Sequence, residues 1–236
     1  KSNKIGDTEV EFTLSIKAVG ETTPTSMECV AFNSIGKAAS KVEIKKTRKP
    51  VLVKKPEEVM SLQIGKDVVL ECTVLAAPNA SISWFKDSKK LSASKRLLIA
   101  EVKEATPVAN QKTYSFKIIS ATKEDSGVYE VVAVNKLGEA RASSDLTIEF
   151  APIITKDLKP KEKAVEDNTF KYEVSAKGCP KPTIAWFNEE TEISATNEEF
   201  TTKNENEVYS LTIKRIRDTS AGRYKAVASN ELGMAQ

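Results

Sequence analysis

The chain has 236 residues with nearly balanced charge, 36 Lys and Arg against 33 Asp and Glu, for a formal net charge of +3. That balance argues against nucleic acid as the main partner, and no apolar run approaches the roughly 20 residues of a membrane-spanning helix. Histidine is absent and only Cys29, Cys72 and Cys179 carry thiols, which removes the commonest general base and leaves too few ligands for a structural zinc site.

Taken in chain order, the sequence repeats itself. Residues 12–16 (Phe-Thr-Leu-Ser-Ile) alternate apolar with polar, and Cys29-Val30-Ala31-Phe32-Asn33-Ser34-Ile35-Gly36 follows. The run 68–74 places Val68, Leu70, Cys72 and Val74 on one face, and the run 81–85 pairs Ile82 with Trp84. Residues 114–118 alternate, and Val131-Val132-Ala133-Val134-Asn135-Lys136-Leu137-Gly138 repeats the Ala-x-Asn-x-x-Gly pattern seen at Ala31. Residues 209–213 alternate again, and Ala228-Ser229-Asn230-Glu231-Leu232-Gly233 is the third copy. The tryptophans, Trp84 and Trp186, are 102 residues apart and each precedes a phenylalanine. A period near 100 residues is the size of a small domain. Strict alternation marks strands with one buried and one wet face, so the class is all-β, with Asn-x-x-Gly as hairpin turns.

With these residues in hand, the chain resembles the immunoglobulin superfamily, specifically the intermediate-type domains of giant muscle proteins of the titin, twitchin, obscurin and stretchin type. Cys72 matches the B-strand cysteine and Trp84 the C-strand tryptophan, while Asp125-Ser126-Gly127-Val128-Tyr129 matches the tyrosine corner. In the third repeat Trp186 follows Gly178-Cys179-Pro180-Lys181-Pro182, which resembles the turn between strands B and C, and Ser220-Ala221-Gly222-Arg223-Tyr224 fills the corner. The resemblance implies tandem Greek-key β-sandwiches: the end of one domain over residues 1–46, a complete domain over 49–150, and a domain lacking most of its last strand over 151–236. The chain is accordingly expected to continue in both directions. Its structural core is expected at Cys29, Cys72, Trp84, Tyr129, Trp186 and Tyr224.

The departures from the family pattern carry information. The partner expected for Cys72, two residues after Tyr129, is Val131, and in the third repeat the two cysteine positions hold Val174 and Ala226. Cys179 falls in the expected B–C turn, and the first repeat has Met27, Thr23 and Thr25 where the corner motif belongs. Disulfides are rare in the reducing cytosol, so these repeats are expected inside cells, with Cys72 acting as a small buried hydrophobe. One glycosylation sequon, Asn79-Ala80-Ser81, points the other way.

Two stretches stand out as contact candidates. The second repeat is longer between its tryptophan and corner tyrosine, with the extra residues near 101–112 around Pro107; these are expected to form a protruding hairpin or loop. Lys45, Lys46, Arg48, Lys49, Lys54 and Lys55 concentrate positive charge near the first junction, where they could dock on an acidic filament surface or simply solvate a linker. The short links between repeats imply a semi-rigid rod that bends more at the first junction.

The acidic pairs Glu57-Glu58, Glu189-Glu190 and Glu198-Glu199 read as solvated loops, and neither a phosphate loop nor a calcium loop is present, so no enzymatic activity, metal or cofactor is expected. The family resemblance implies a structural array of a sarcomeric protein in the cytoplasm, bearing tension and binding protein partners such as the myosin thick filament, with no nucleic acid, membrane or small-molecule substrate. Two rivals stay open: a cell-surface adhesion or receptor ectodomain, and the targeting arm of a giant protein kinase.

Overall fold

The computed structural model describes residues 2–4, 10–17, 26–104, 108–159, 162–194 and 197–236. The first repeat contributes β1 (Ser2–Lys4) paired with β2 (Val10–Phe12), and the hairpin β3 (Ser26–Phe32) and β4 (Lys37–Glu43). The second contributes β5 (Arg48–Lys54), β6 (Val59–Gln63), β7 (Val68–Ala77), β8 (Ser81–Lys86), β9 (Lys89–Lys90), β10 (Leu97–Val102), β11 (Gln111–Ile118) and β12 (Gly127–Asn135). β13 (Gly138–Lys156) belongs to the second and third repeats together. The third continues with β14 (Phe170–Cys179), β15 (Thr183–Asn188), β16 (Thr191–Glu192), β17 (Phe200–Glu205), β18 (Val208–Ile213), β19 (Tyr224–Asn230) and β20 (Gly233–Ala235).

In the second repeat one sheet runs β10-β11-β7-β5 and the other runs β13-β12-β8-β9, with β6 pairing parallel to β13. Period-2 alternation supplies the inner faces. Val68, Leu70, Cys72, Val74 and Ala76 of β7 are all buried and meet Trp84, Phe116, Ile118, Tyr129, Val131 and Leu146. Trp84 is 1% exposed and its ring stacks on Phe116 at 5.4 Å, which in turn touches Tyr129 at 5.7 Å. The third repeat repeats the plan, with β17-β18-β14-β13 facing β16-β15-β19-β20. Its core holds Val174, Ala176, Trp186, Tyr209, Leu211, Ala226 and Ala228.

The tyrosine corners form in both repeats. Tyr129 donates its hydroxyl to the carbonyl of Asp125 at 2.8 Å, and Tyr224 donates to Ser220 at 2.9 Å. Gly127 is required here. Its φ is +147°, and the Asp87 carboxylate, which accepts from the Val128 amide at 3.0 Å, sits 2.7 Å from where a Cβ would lie.

The first repeat departs from expectation. Residues 13–16 are not a strand, and Phe12 and Leu14 are 69% and 75% exposed. Among the described residues no second sheet lies against them, so their alternation has no core to face. Met27 pairs with Val42 in the β3–β4 hairpin, and Cys29 is exposed; Thr23 and Thr25 lie outside the described residues. Cys179, expected in a turn, is the last residue of β14 and pairs with Phe150, because the strand carries its pairing up to the peptide bond before Pro180.

Truncating Trp84 to alanine empties the largest fully buried side chain of the second repeat. Such a change costs about 3–5 kcal/mol, and urea unfolding followed by circular dichroism should show the second repeat losing most of a domain's usual margin while the third is little affected. A second expectation concerns acid. Asp125 is partly buried, which works against its carboxylate. Hydrogen bonds from the Thr122 amide at 2.7 Å and hydroxyl at 2.9 Å, together with Arg96, outweigh that burial and hold its pKa below the ordinary aspartate value. A depressed folded-state pKa gives stability that is fully present above the unfolded value of about 3.9 and is lost as pH falls through the folded one. Asp125→Asn should therefore flatten the acid limb of a stability–pH curve, as measured by denaturant titration between neutral and acid pH.

Candidate functional site: the junction pole and the basic strand

The six basic residues do not form one linker. Lys45 and Lys46 lie between β4 and β5, Arg48, Lys49 and Lys54 are in β5, and Lys55 follows it. The strand continues through Lys54 because β5 pairs with β7, with a register shift between Arg48 and Val51 that accommodates the buried Pro50. Lys54 is ion-paired with Glu71 at 2.9 Å, and that carboxylate raises the Lys54 amine above its ordinary pKa. Lys46 is half-buried while Lys45, Lys49 and Lys55 are exposed. The positive charge is thus spread along an edge strand, part of it already neutralised.

The added length of the second repeat lies in the β10–β11 hairpin. In the third repeat, Glu205 and Val208 flank a two-residue turn, with Asn206 and Glu207 at φ of +49° and +66°. In the second, Val102 pairs with Thr113, and residues 103–110 connect the two strands. The expected protrusion is tied down at both ends. Glu104 accepts from the Thr113 hydroxyl, the buried Thr73 and Thr113 hydroxyls share a 2.8 Å hydrogen bond, and the Asn110 carbonyl accepts from the Ala76 amide at 2.9 Å. Pro107 lies outside the described residues. A shallow groove runs between this segment and the first junction, lined by Ile44, Lys45, Arg48, Leu75, Asn110 and Gln111.

Sequence reading took the Asn of each Ala-x-Asn-x-x-Gly as a turn residue and missed its second task. The Asn135 side chain accepts from the Leu137 amide at 2.9 Å, as a turn requires, while its Nδ2 donates to the carbonyls of Arg48 at 2.8 Å and Pro78 at 3.0 Å. Asn230 does the same, accepting from Leu232 at 3.0 Å and donating to Phe150 at 3.0 Å and Pro180 at 2.9 Å. Each asparagine therefore ties three segments together at one pole of its sandwich: the turn before the last strand, the turn after β7 or β14, and the strand entering the domain. In the first repeat, Asn33 keeps the turn role, accepting from Ile35 and Gly36. The asparagines recur with the repeat, but they lie 57 and 50 residues from the prolines whose carbonyls they reach, and nothing local in the sequence states that contact.

At the second junction the chain does not leave the sheet. β13 pairs with β12 from Gly138 to Leu146 and then with β14 from Phe150 to Lys156, so one strand closes the second sandwich and opens the third. Four residues, 44–47, separate β4 from β5 at the first junction.

None of the three cysteines is bonded to another: Cys29 is exposed, Cys72 is buried and Cys179 is half-buried. Burial pushes the Cys72 thiol up to about 11, in keeping with its place as a small apolar core residue. Val131, Val174 and Ala226 fill the other cysteine positions of the pattern, and Val131 and Val174 are almost completely buried. Asn79 of the sequon is exposed on the turn between β7 and β8. Among the described residues no cluster of three or more His, Cys, Asp or Glu side chains could hold a metal, and no helix is long and apolar enough to cross a membrane.

The model of the immunoglobulin I-set domain matches twice, over residues 50–148 and 152–236. The chain belongs to the immunoglobulin I-set family. Among curated relatives, the muscle M-line assembly protein unc-89 of Caenorhabditis elegans is 30% identical over 94% of this chain, and mouse hemicentin-2 is 26% identical over 87%. The chain spans only 3% and 4% of those two proteins. Among solved structures, the titin immunoglobulin tandem A164–A165 superposes with a TM-score of 0.58 at 25% identity, covering 80% of this chain and 94% of that one.

If the asparagine clamp fixes the pole of each I-set domain, Asn230→Ala should release the carbonyls of Phe150 and Pro180 at a cost of about 1–3 kcal/mol. Small-angle scattering should report a broader distribution of angles between the second and third repeats, with the β-sheet content unchanged.

Proposed function

We propose that this chain is a non-catalytic stretch of a sarcomeric I-set array that lies along a muscle filament, the myosin thick filament in the first place, and bears tension in the cytoplasm. The observation that carries the reading is the junction: one uninterrupted strand, β13, joins two sandwiches whose cores contain no disulfide. The likeness to an M-line assembly protein and to a titin tandem supports it. So does Val131 in the place of a partner cysteine for Cys72, since disulfides are rare in a reducing compartment. On this reading the domains divide at residues 1–46, 49–150 and 151–236, and the chain is part of a longer array. Protein surfaces are its partners, reached through exposed faces such as the basic edge strand, and no nucleic acid, membrane, cofactor or small substrate enters its work.

The testing experiment is co-sedimentation of the chain with purified myosin filaments and, separately, with F-actin across a salt series. Pelleting with myosin alone is the expected outcome. Binding through Lys45, Lys49 and Lys55 should weaken as salt screens their charge. Pelleting with neither filament would overturn direct filament binding and favour an array displayed outside cells, for which glycan on Asn79 is the check.

A further inference from the structure

β10 is an open edge of its sheet, and it is unlike the strand in the same place in the third repeat. Its neighbour β11 fixes the comparison. Leu98, Ala100 and Val102 stand opposite Lys117, Ser115 and Thr113, whereas Thr201, Lys203 and Glu205 of β17 stand opposite Thr212, Ser210 and Val208. The third repeat therefore guards its edge with polar and charged side chains, a common protection against strand addition. The second repeat leaves the same positions apolar, with Leu98 at 43% exposed and Val102 at 36%.

The backbone of that edge is available over a short window. The Ile119 amide donates to the Arg96 carbonyl at 2.9 Å, so alternation along the antiparallel ladder points the groups of Arg96, Leu98, Ala100 and Val102 toward β11 and those of Ile99 and Glu101 away from it. Leu97 also points away but is closed off, its carbonyl accepting from the Ser94 amide at 2.8 Å and its amide donating to the Ser94 hydroxyl at 3.1 Å.

We propose that β10 is a self-association edge, on which β10 of a second copy of this chain adds antiparallel about a two-fold axis at Ala100. Three registers satisfy the outward-pointing groups. An axis at Glu101 would set two glutamates face to face, and an axis at Ile99 would set Lys95 against Lys103 of the second copy. An axis at Ala100 sets Leu98 against Val102 of the second copy, Ala100 against its own equivalent, and Arg96 against Glu104 of the second copy. Both members of that charged pair are already oriented within the domain, Arg96 by Asp125 and Glu104 by Thr113. An isologous contact of this kind closes on itself as a dimer, and a single short strand pair makes it weak and concentration-dependent.

Sedimentation equilibrium tests the proposal, using the chain with Cys29→Ser and Cys179→Ser to exclude adventitious cross-links and taken up to its solubility limit. A monomer–dimer equilibrium is expected. Replacing Leu98→Thr, Ala100→Lys and Val102→Glu together installs residues the third repeat already carries on its own edge, and should weaken the dimer about tenfold or more with the circular dichroism spectrum unchanged. The register has its own readout. At a non-hydrogen-bonded antiparallel pair the Cα atoms approach to about 4.5 Å, within disulfide range, so Ala100→Cys should cross-link two chains on mild oxidation and Glu101→Cys should not. A chain that stays monomeric throughout, or a dimer as tight in the triple variant as in the parent, overturns the proposal. Cross-linking through Glu101→Cys in place of Ala100→Cys overturns the register.

Discussion

Two sheets with no covalent bond between them must be held by the fit of apolar side chains, and that constraint governs the sandwiches of the second and third repeats. In the second repeat the aromatic series Trp84, Phe116 and Tyr129 spans the gap, each ring touching the next. The third repeat solves the same problem differently. Leu211 stands where Phe116 would be, Tyr172 stacks on Tyr224 at 4.8 Å, and buried Tyr209 of β18 donates to the Pro182 carbonyl at 2.9 Å, a hydrogen bond that ties one sheet to the turn leading into β15 of the other. Aromatic pairs add about 0.5–1.5 kcal/mol beyond the area they bury, so a few well-placed rings replace part of what a disulfide gives.

A packed core fixes the poles of the sandwich, and the poles fix the array. Because β7 and β8 are held by the core, the turn between them is a firm platform, and Asn135 can tie the incoming strand to it; Asn230 repeats this one domain later. The side chain of one residue thereby couples tertiary packing to the direction in which the chain enters each domain. Where that entering strand is also the outgoing strand of its neighbour, as in β13, little slack remains between domains.

The repeat, the all-β class and the inner faces could be read from the sequence because they rest on period-2 alternation, which burial enforces residue by residue. Trp84, Trp186, Tyr129 and Tyr224 were legible by another route, the resemblance to the family pattern, and the structure packs each of them into or against a core. What could not be read depends on contacts between distant segments. The reach of Asn135 to Arg48 spans 87 residues, and no local pattern announces it. The unity of β13 was hidden because Ala151-Pro152 reads as a break, whereas the buried Pro152 is absorbed at a register shift between Phe150 and Ile153. The basic cluster looked like a linker by composition, and pairing with β7 turned half of it into strand.

Strand directions also determine how such an array meets force. Tension entering along β13 is parallel to its ladders with β12, β6 and β14. To open the second repeat from its C-terminal side, β13 must slide along nine paired positions of β12 and five of β6 at once. Loading in shear shares the force over these bonds together, while peeling would break them one at a time. The parallel pairing of β6 matters most here. It places an early strand of the domain beside its last one, so force applied to β13 is carried across to the chain just after β5, and the two ends of the domain are joined through a single ladder before the core is disturbed.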